Sequence, residues 1–154
     1  MIGVEEACLR AKEHAGAVAH AAEADRNAML TAAARALREH ASEIIAENRK
    51  DCEACTRGAQ FVDRLMLDEK RIDGIAVGLE KLVQLPCPVG EILEERTLYN
   101  GLRLRRVRVP IGVIGIIYEA RPNVTADAIG LAIKSGNAIV LRGSKDAIRS
   151  NIAV

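Results

Sequence analysis

Two short segments near the end of this chain carry the side chains best suited to chemistry. Arg142-Gly143-Ser144-Lys145 places two cations around a serine at a predicted junction between a strand and a helix. Free backbone N–H groups and the dipole at such a junction, together with the cations, favour an anion. Asn123 follows Arg121-Pro122, and the proline fixes its own φ and keeps the preceding residue extended. An amide donor held in this way is suited to stabilising a developing oxyanion.

Both segments also have simpler interpretations. Ser144 is a typical N-cap for a last helix, with Asp146 favourable in its first turn, which would leave the two cations solvated. Asn123, or else Thr125, is suited to capping the helix predicted over 126–135. The residues alone leave these alternatives open.

Two nucleotide-binding motifs are excluded by their spacing. Gly143-Ser144-Lys145 resembles the end of a phosphate loop, but Ala138 stands where that loop needs its first glycine. Gly112 and Gly115 lie at the front of a predicted strand and lack the third glycine of a dinucleotide fingerprint. This spacing argues against a Walker-type ATPase.

The elements that must position these residues follow from hydrophobic periodicity. Residues 1–88 are rich in alanine, with apolar positions at helical spacing. They predict one helix over 4–22, a second capped by Asp25, a third running from Ser42 to a stop at Gly58, and a fourth capped by Asp68 and ended by Pro86.

Residues 91–109 predict a β-hairpin. Its two strands meet at Asn100-Gly101, a pair typical of a type I′ turn. Alternation along the second strand places Arg103 and Arg105 on one side and Arg106 and Arg108 on the other. The charges are explained by an edge strand protected from aggregation, by a ribbon contacting another subunit, or by phosphate binding.

Residues 111–154 predict a β-α-β-α unit. Gly112–Tyr118 is a continuous apolar run, which favours a strand covered on both faces. A helix over 126–135, stopped by Gly136-Asn137, leads to a second buried strand over 138–141. Loops at the carboxyl ends of parallel strands are where α/β sheets bind ligands. We therefore expect Asn123 and the 142–145 segment to lie together.

Composition excludes several classes of partner. The 154 residues carry a net charge of +1 and are 2% aromatic, so neither a basic surface nor stacking platforms for nucleic acid are expected. No apolar run approaches the roughly 20 residues of a membrane helix, and the N-terminus has acids where a signal peptide needs an apolar core. We expect a cytoplasmic protein without nucleic-acid or membrane partners.

Cys52 and Cys55 have the spacing of metal and redox sites. Zinc would need a second pair of ligands, and the sequence offers neither another such cysteine pair nor closely spaced histidines. Redox pairs usually follow a strand at a helix start, whereas this pair lies late in a predicted helix. We predict no metal site, with a metal or redox domain as the alternative interpretation.

Two longer stretches resemble a known family. Pro110–Thr125, PIGVIGIIYEARPNVT, and Lys134–Lys145, KSGNAIVLRGSK, are similar to γ-glutamyl phosphate reductases (glutamate-5-semialdehyde dehydrogenases), the proline-pathway branch of the aldehyde dehydrogenase superfamily. Tyr-Glu-Ala-Arg-Pro-Asn is specific to this branch, since the wider superfamily carries Pro-Trp-Asn there. The helical opening and the hairpin also resemble the family. The implied fold is aldehyde dehydrogenase-like α/β: N-terminal helices, a hairpin and the start of a parallel, Rossmann-like cofactor-binding sheet.

The resemblance implies roles for single residues. Asn123 matches the superfamily's oxyanion-hole amide, and Arg142 matches a lysine that contacts the adenosine ribose. Lys145 falls where relatives that prefer NAD carry an acid, so a cation there implies NADPH. With Gly143 and Ser144, these residues are the expected cofactor contacts.

The implied reaction is NADPH-dependent reduction of L-glutamyl 5-phosphate to L-glutamate 5-semialdehyde, with release of phosphate, through a cysteine thioester. None of the four cysteines matches the family's nucleophile. We therefore expect 1–154 to be the N-terminal part of the NADP-binding domain, with the catalytic domain beyond Val154 and no activity in the chain alone. Self-association of the longer enzyme and contact with glutamate 5-kinase are further implications. A module that only binds nucleotide or assembles, and another aldehyde dehydrogenase branch, are the alternatives.

Overall fold

The structure is a computed structural model that describes residues 3–154. Its first five helices are followed by a hairpin and then by a small parallel sheet with two further helices. The helices are α1 Val4–His20, α2 Glu23–Glu39, α3 Ala41–Ala54, α4 Ala59–Leu65, α5 Glu69–Gln84, α6 Asn123–Lys134 and α7 Ile148–Ala153. The strands are β1 Ile92–Thr97, β2 Arg103–Val107, β3 Val113–Ile117 and β4 Ala138–Arg142.

The main core lies between α2 and α5, with α3 and α6 packed around them. Its buried side chains are aliphatic, because the described chain has so few aromatics; they are Leu30, Ala34, Leu37, Ile44, Leu67, Ile72, Ile75, Ala76, Leu79 and Ala126. Each fully buried leucine or isoleucine contributes about 1.5–3 kcal/mol relative to exposure. This packing fixes α6, and therefore its first residue, Asn123, against the helical part of the fold.

The predicted helix boundaries are partly confirmed. Asp68 caps α5 by accepting a hydrogen bond from the Arg71 backbone N–H at 2.7 Å. The predicted cap at Asp25 is wrong, because α2 begins at Glu23 and Asp25 lies in its first turn, where a negative charge still favours the helix dipole. The start at Ser42 is also wrong, since α3 begins at Ala41 directly after His40.

The stop predicted at Gly58 is displaced by a short helix that the periodicity did not reveal. α3 ends at Ala54, and Gly58, with φ of 89°, then precedes α4. With only 7 residues, α4 is too short to show a helical repeat. It forms because its last residue, Leu65, is fully buried in a second small cluster with Ala120 and Ala147.

The hairpin is confirmed, but its turn differs from the prediction. β1 and β2 are antiparallel, with Thr97 opposite Arg103. Gly101 alone in the turn has a positive φ, of 86°, so a type I′ turn is wrong. The Leu98 N–H donates to the Leu102 carbonyl at 2.8 Å, and the Gly101 N–H donates to the Leu98 carbonyl at 2.9 Å. This is a three-residue loop with glycine at the left-handed position.

Arginine alternation in β2 is confirmed by the ion pairs. Arg103 and Arg105 both contact Glu95 on β1, while Arg106 approaches Glu94 at 3.9 Å. Arg103 and Arg105 lower the pKa of the Glu95 carboxyl, chiefly through the hydrogen bond from Arg103 and then through the one from Arg105. Both strands are exposed along their whole length. The hairpin therefore extends away from the core.

The β-α-β unit is confirmed as a parallel pair. Val113 lies opposite Ala138 and Ile117 opposite Arg142. The prediction that Gly112–Tyr118 is covered on both faces is wrong, since Ile117 is 76% exposed and alternate residues of β3 face solvent. Within residues 3–154 the sheet has only these two strands, and α1 and α6 do not cover both of its faces.

One of the two predicted ends of α6 is confirmed. Gly136, with φ of 73°, stops α6 as predicted. The start predicted at 126 is wrong, because α6 already begins at Asn123. No helix in the described part of the chain is long and apolar enough to cross a membrane.

Candidate active site

The two predicted chemical segments leave the same edge of the parallel sheet. Ile117, the last residue of β3, lies opposite Arg142, the last residue of β4. The next backbone N–H, that of Tyr118, donates to the Arg142 carbonyl at 3.1 Å. Asn123 and the 143–145 segment therefore both follow the carboxyl ends of paired strands, which is where such sheets bind ligands. Neither segment is buried in the interior.

A hydrogen-bonded chain of three side chains joins these segments. The Tyr118 hydroxyl lies 2.6 Å from Thr125 Oγ1, which donates to Asn151 Oδ1 at 3.2 Å. Because Thr125 donates to Asn151, Tyr118 is the donor to Thr125. The loop after β3, the start of α6 and helix α7 are thus connected, and the Thr125 hydroxyl is not available as an N-cap.

Gly143 lies where this chain leaves no room for a side chain. A Cβ there would be 3.0 Å from the Cζ and hydroxyl oxygen of Tyr118 and would also collide with Asn151. Glycine at this position lets β4 turn into the last helix close beside the tyrosine.

Asn123 is the first residue of α6 and does not cap it. The N-cap position belongs to Pro122, and Asn123 Nδ2 instead donates to Asp127 Oδ2 at 3.1 Å, one helical turn further along. The capping interpretation of Asn123 is therefore wrong. An amide nitrogen has two hydrogens, so the bond to Asp127 orients the group and leaves one N–H for a ligand.

A cavity of about 470 Å³ opens beside Asn123, between the loop that precedes α6 and helices α4 and α5. Its charged lining consists of Asp63, Arg64, Arg71, Arg121 and Asp127. A larger cavity, of about 620 Å³, is lined mainly by aliphatic side chains of α2, α3 and α6 and lies away from both segments. The smaller cavity therefore has the charged and amide groups that binding or catalysis of a charged substrate requires.

Ser144 has the capping role that the sequence predicts. Its Oγ accepts from the Asp146 backbone N–H at 3.2 Å, although the cap starts a single 3-10 turn, Lys145–Ala147, that precedes α7. The Asp146 carboxylate accepts from Arg57 at 3.1 Å and from the Ser144 hydroxyl at 3.2 Å. The serine hydroxyl is therefore already committed within the fold.

Arg142 and Lys145 differ from Ser144 in being free for a ligand. Both are exposed, and neither side chain makes a hydrogen bond or an ion pair with another residue among 3–154. Two uncompensated cations at the carboxyl edge of a parallel sheet fit the phosphate groups of a dinucleotide.

Cys52 and Cys55 pack against the small cluster of Leu65, Ala120 and Ala147. Burial raises the pKa of the Cys52 thiol, and the neighbouring carboxylate of Asp51 adds to the shift. Cys52 and Cys55 are both free and half-buried, at the end of α3. Within the described residues no three or more His, Cys, Asp and Glu side chains are grouped to hold a metal ion.

Sequence reasoning missed the residues on the helical side of the cavity. Asp127 had a signal, because positions i and i+4 share a helix face and Asn123 was already a candidate. Arg64 and Arg71 had none, since α4 was not predicted and nothing in the sequence places it beside α6.

The architecture is that of the aldehyde dehydrogenases. An NAD-dependent benzaldehyde dehydrogenase from Corynebacterium glutamicum has this fold over 96% of the chain, with a TM-score of 0.76 at 24% identity. No protein-family model matches the sequence.

Within that class, the chain matches the N-terminal part of γ-glutamyl phosphate reductases. The reductase of Koribacter versatilis is 53% identical over 92% of this chain. The crystal structure of the Thermotoga maritima γ-glutamyl phosphate reductase superposes over 96% of the chain with a TM-score of 0.91 and 44% identity. The chain spans 34% of the first relative and 36% of the second. The resemblance predicted from the sequence and the α/β fold are confirmed.

Proposed function

We propose that this chain serves the NADPH-dependent reduction of L-glutamyl 5-phosphate to L-glutamate 5-semialdehyde, the reaction of γ-glutamyl phosphate reductase in proline biosynthesis. It contributes an oxyanion-stabilising amide, Asn123, and a cofactor-binding corner, Arg142–Lys145. The catalytic cysteine lies outside residues 1–154, in the remaining two-thirds of the enzyme. Self-association and contact with glutamate 5-kinase would likewise involve the longer protein.

The shared sheet edge is the observation that carries this proposal. Ile117 and Arg142 end paired parallel strands, so the segments that carry Asn123 and Lys145 both leave the same edge of the sheet. Hydride transfer requires the donor and the carbonyl carbon to approach to about 3–3.5 Å. Segments that leave the same edge of the sheet can bring a bound cofactor and a bound substrate together in this way. The 53% identity to a reductase supports the choice of substrate.

The residues of this chain act by binding and orientation. A bound nicotinamide supplies the hydride. Asn123 donates its free N–H to the carbonyl oxygen of the substrate as negative charge develops there, an interaction whose loss typically costs about 10²–10³-fold in turnover. Asp127 fixes the amide in place. Arg142 and Lys145 neutralise phosphate on the adenosine side, and Lys145 supplies the cation that a 2′-phosphate requires.

Cofactor titration and a chimera test the proposal. The 154-residue chain should bind NADPH more tightly than NADH without reducing the acyl phosphate. A chimera in which this chain replaces the matched third of the Koribacter versatilis reductase should restore NADPH-dependent formation of the semialdehyde. A chimera that folds and assembles but consumes no NADPH with glutamyl phosphate would overturn the proposed function. Reduction by the chain alone would show that the catalytic cysteine lies within it.

A further inference from the structure

The cavity beside Asn123 has an excess of unpaired positive charge. Of its two acids, Asp63 pairs with Arg71 at 2.8 Å and Asp127 accepts from the Asn123 amide. Arg71 makes three hydrogen bonds, since its other terminal nitrogen donates to the carbonyls of Asp63 and Met66. Two guanidinium groups, those of Arg64 and Arg121, therefore remain for a ligand.

Arg121 is held firmly by its backbone while its side chain stays free. Its N–H donates to the Glu119 carbonyl at 2.9 Å, and its own carbonyl accepts from the Val124 N–H at 3.0 Å. Pro122, which follows it, is almost fully buried and keeps Arg121 extended. Within residues 3–154 the guanidinium has neither a hydrogen bond nor an ion pair. Glu119, the acid closest in sequence, does not line the cavity.

Resting on the function proposed above, we propose that Arg121 binds the phosphate group of the acyl phosphate substrate. The phosphate and the carbonyl oxygen are attached to the same carbon atom, so the groups that recognise them must be neighbours. Arg121 and Asn123 line the same cavity and flank a rigid proline. An arginine fork matches phosphate oxygens with two parallel hydrogen bonds.

The role of Arg121 is to stabilise the leaving group. The cysteine thiolate, from outside this chain, forms a C–S bond to the acyl carbon, and the bond between that carbon and the bridging oxygen of the acyl phosphate breaks. The electron pair leaves on the phosphate, which departs as inorganic phosphate after taking up a proton from water. Hydride addition to the thioester carbon then expels the thiolate and gives the aldehyde. Arg121 acts in the first step only.

This division of roles gives a sharp kinetic test in the reverse direction. With NADP+ as the hydride acceptor, the chimera oxidises glutamate semialdehyde to the thioester. Either inorganic phosphate or, more slowly, water then attacks the acyl carbon and releases the thiolate. Arg121→Gln should raise the KM for phosphate by at least about tenfold, as expected for the loss of a charge-assisted hydrogen bond. The rate of NADPH formation without phosphate, in which water releases glutamate and no phosphate site is needed, should change less than about twofold.

Arg49→Gln is the matched control, because it removes an equal charge from an exposed position of α3 outside the cavity. It should raise the KM for phosphate far less, and Arg121→Lys should recover part of the loss. An equal effect of the two glutamine variants, or a parallel fall in the phosphate-free rate, would overturn the proposal.

A binding measurement keeps the inference testable if the chimera is inactive. In the isotope-labelled 154-residue chain, inorganic phosphate should shift the Nε–H resonance of Arg121 and leave that of Arg57 unchanged. An unshifted Arg121 would overturn the assignment. A shift together with an inactive chimera would support the phosphate site and count against the proposed function instead.

Discussion

The side chains of Asn48 and Ser150 are hydrogen bonded at 3.0 Å although the residues lie 102 positions apart. Asn48 also donates to the Leu65 carbonyl and accepts from the Leu67 N–H at 2.7 Å. Ser150 in turn donates from its N–H and its hydroxyl to Asp51, at 2.8 and 2.7 Å. This buried network fastens α7 to α3, and α7 is the element against which the 142–145 corner rests.

Asn48→Ala should lower the free energy of unfolding by about 2–4 kcal/mol, because it leaves the buried Leu67 N–H and Leu65 carbonyl without partners. Chemical denaturation of the 154-residue chain measures the loss. Arg49→Ala, an exposed change on the same helix, should stay within about 0.5 kcal/mol. Equal effects of the two variants would mean that the network contributes nothing specific.

Gly130→Ala should destabilise the chain by about 1–3 kcal/mol through overpacking. A Cβ at Gly130 would lie 2.5 Å from Leu79 Cδ2 and 2.9 Å from Leu82 Cδ1. Gly16→Ala is the matched control, since it is also in a helix but has nothing within 4 Å. It should stabilise α1 by up to about 1 kcal/mol, from helix propensity alone. Thermal unfolding of both variants checks the opposite signs.

Asn123→Ala in the chimera should reduce kcat by about 10²–10³-fold with little change in the Kd for NADPH. The stability of the 154-residue chain should hardly change, because Asn123 does not cap α6. A loss of stability with turnover intact would contradict the oxyanion role and restore a structural one.

Lys145→Glu should weaken binding of NADPH by at least about tenfold while changing that of NADH little, since only the former carries a 2′-phosphate. Lys70→Glu, an equal charge reversal at an exposed position of α5, is the control for general electrostatics. Fluorescence titration of the 154-residue chain with each cofactor measures both. If Lys145→Glu weakened the binding of NADPH and NADH equally, the assignment of Lys145 to the 2′-phosphate would be contradicted.

The hairpin should loosen in acid at a lower pH than ordinary glutamates titrate. Arg103 and Arg105 lower the pKa of Glu95 in the folded state, so its ion pairs stabilise the hairpin above the ordinary glutamate pKa. That stabilisation is lost as the pH falls through the lowered value. The NMR titration of the Glu95 carboxyl, with hairpin amide exchange, checks the direction. Arg103→Gln should move the midpoint back up, and an unmoved midpoint would contradict the pairing.

The sequence predicted what depends on local pattern. Asp68, the Arg103/Arg105 alternation and the glycine stop at Gly136 are all set by neighbours in the chain, and all are confirmed. The strand-to-helix junction at Ser144 could be predicted for the same reason.

Features that depend on packing between distant parts of the chain could not be predicted from the sequence. α4 is too short to show its own period and exists because Leu65 has a buried place beside Ala120 and Ala147. The exposure of Ile117 depends on how many strands flank β3, which an apolar run cannot report. Asn123 was recognised as an amide donor, but the cavity that it faces comes from helices of the N-terminal half.

The Tyr118–Thr125–Asn151 chain has a mechanical consequence for the proposed cleft. It links the loop before α6 to the helix that follows Lys145, so separating the two walls would break these hydrogen bonds. We expect a cofactor that shifts α7 to displace Thr125 as well, which lies in the same helical turn as the Asn123 amide. Thr125→Val, which keeps the shape and removes the hydroxyl, would uncouple them and leave each wall to respond alone.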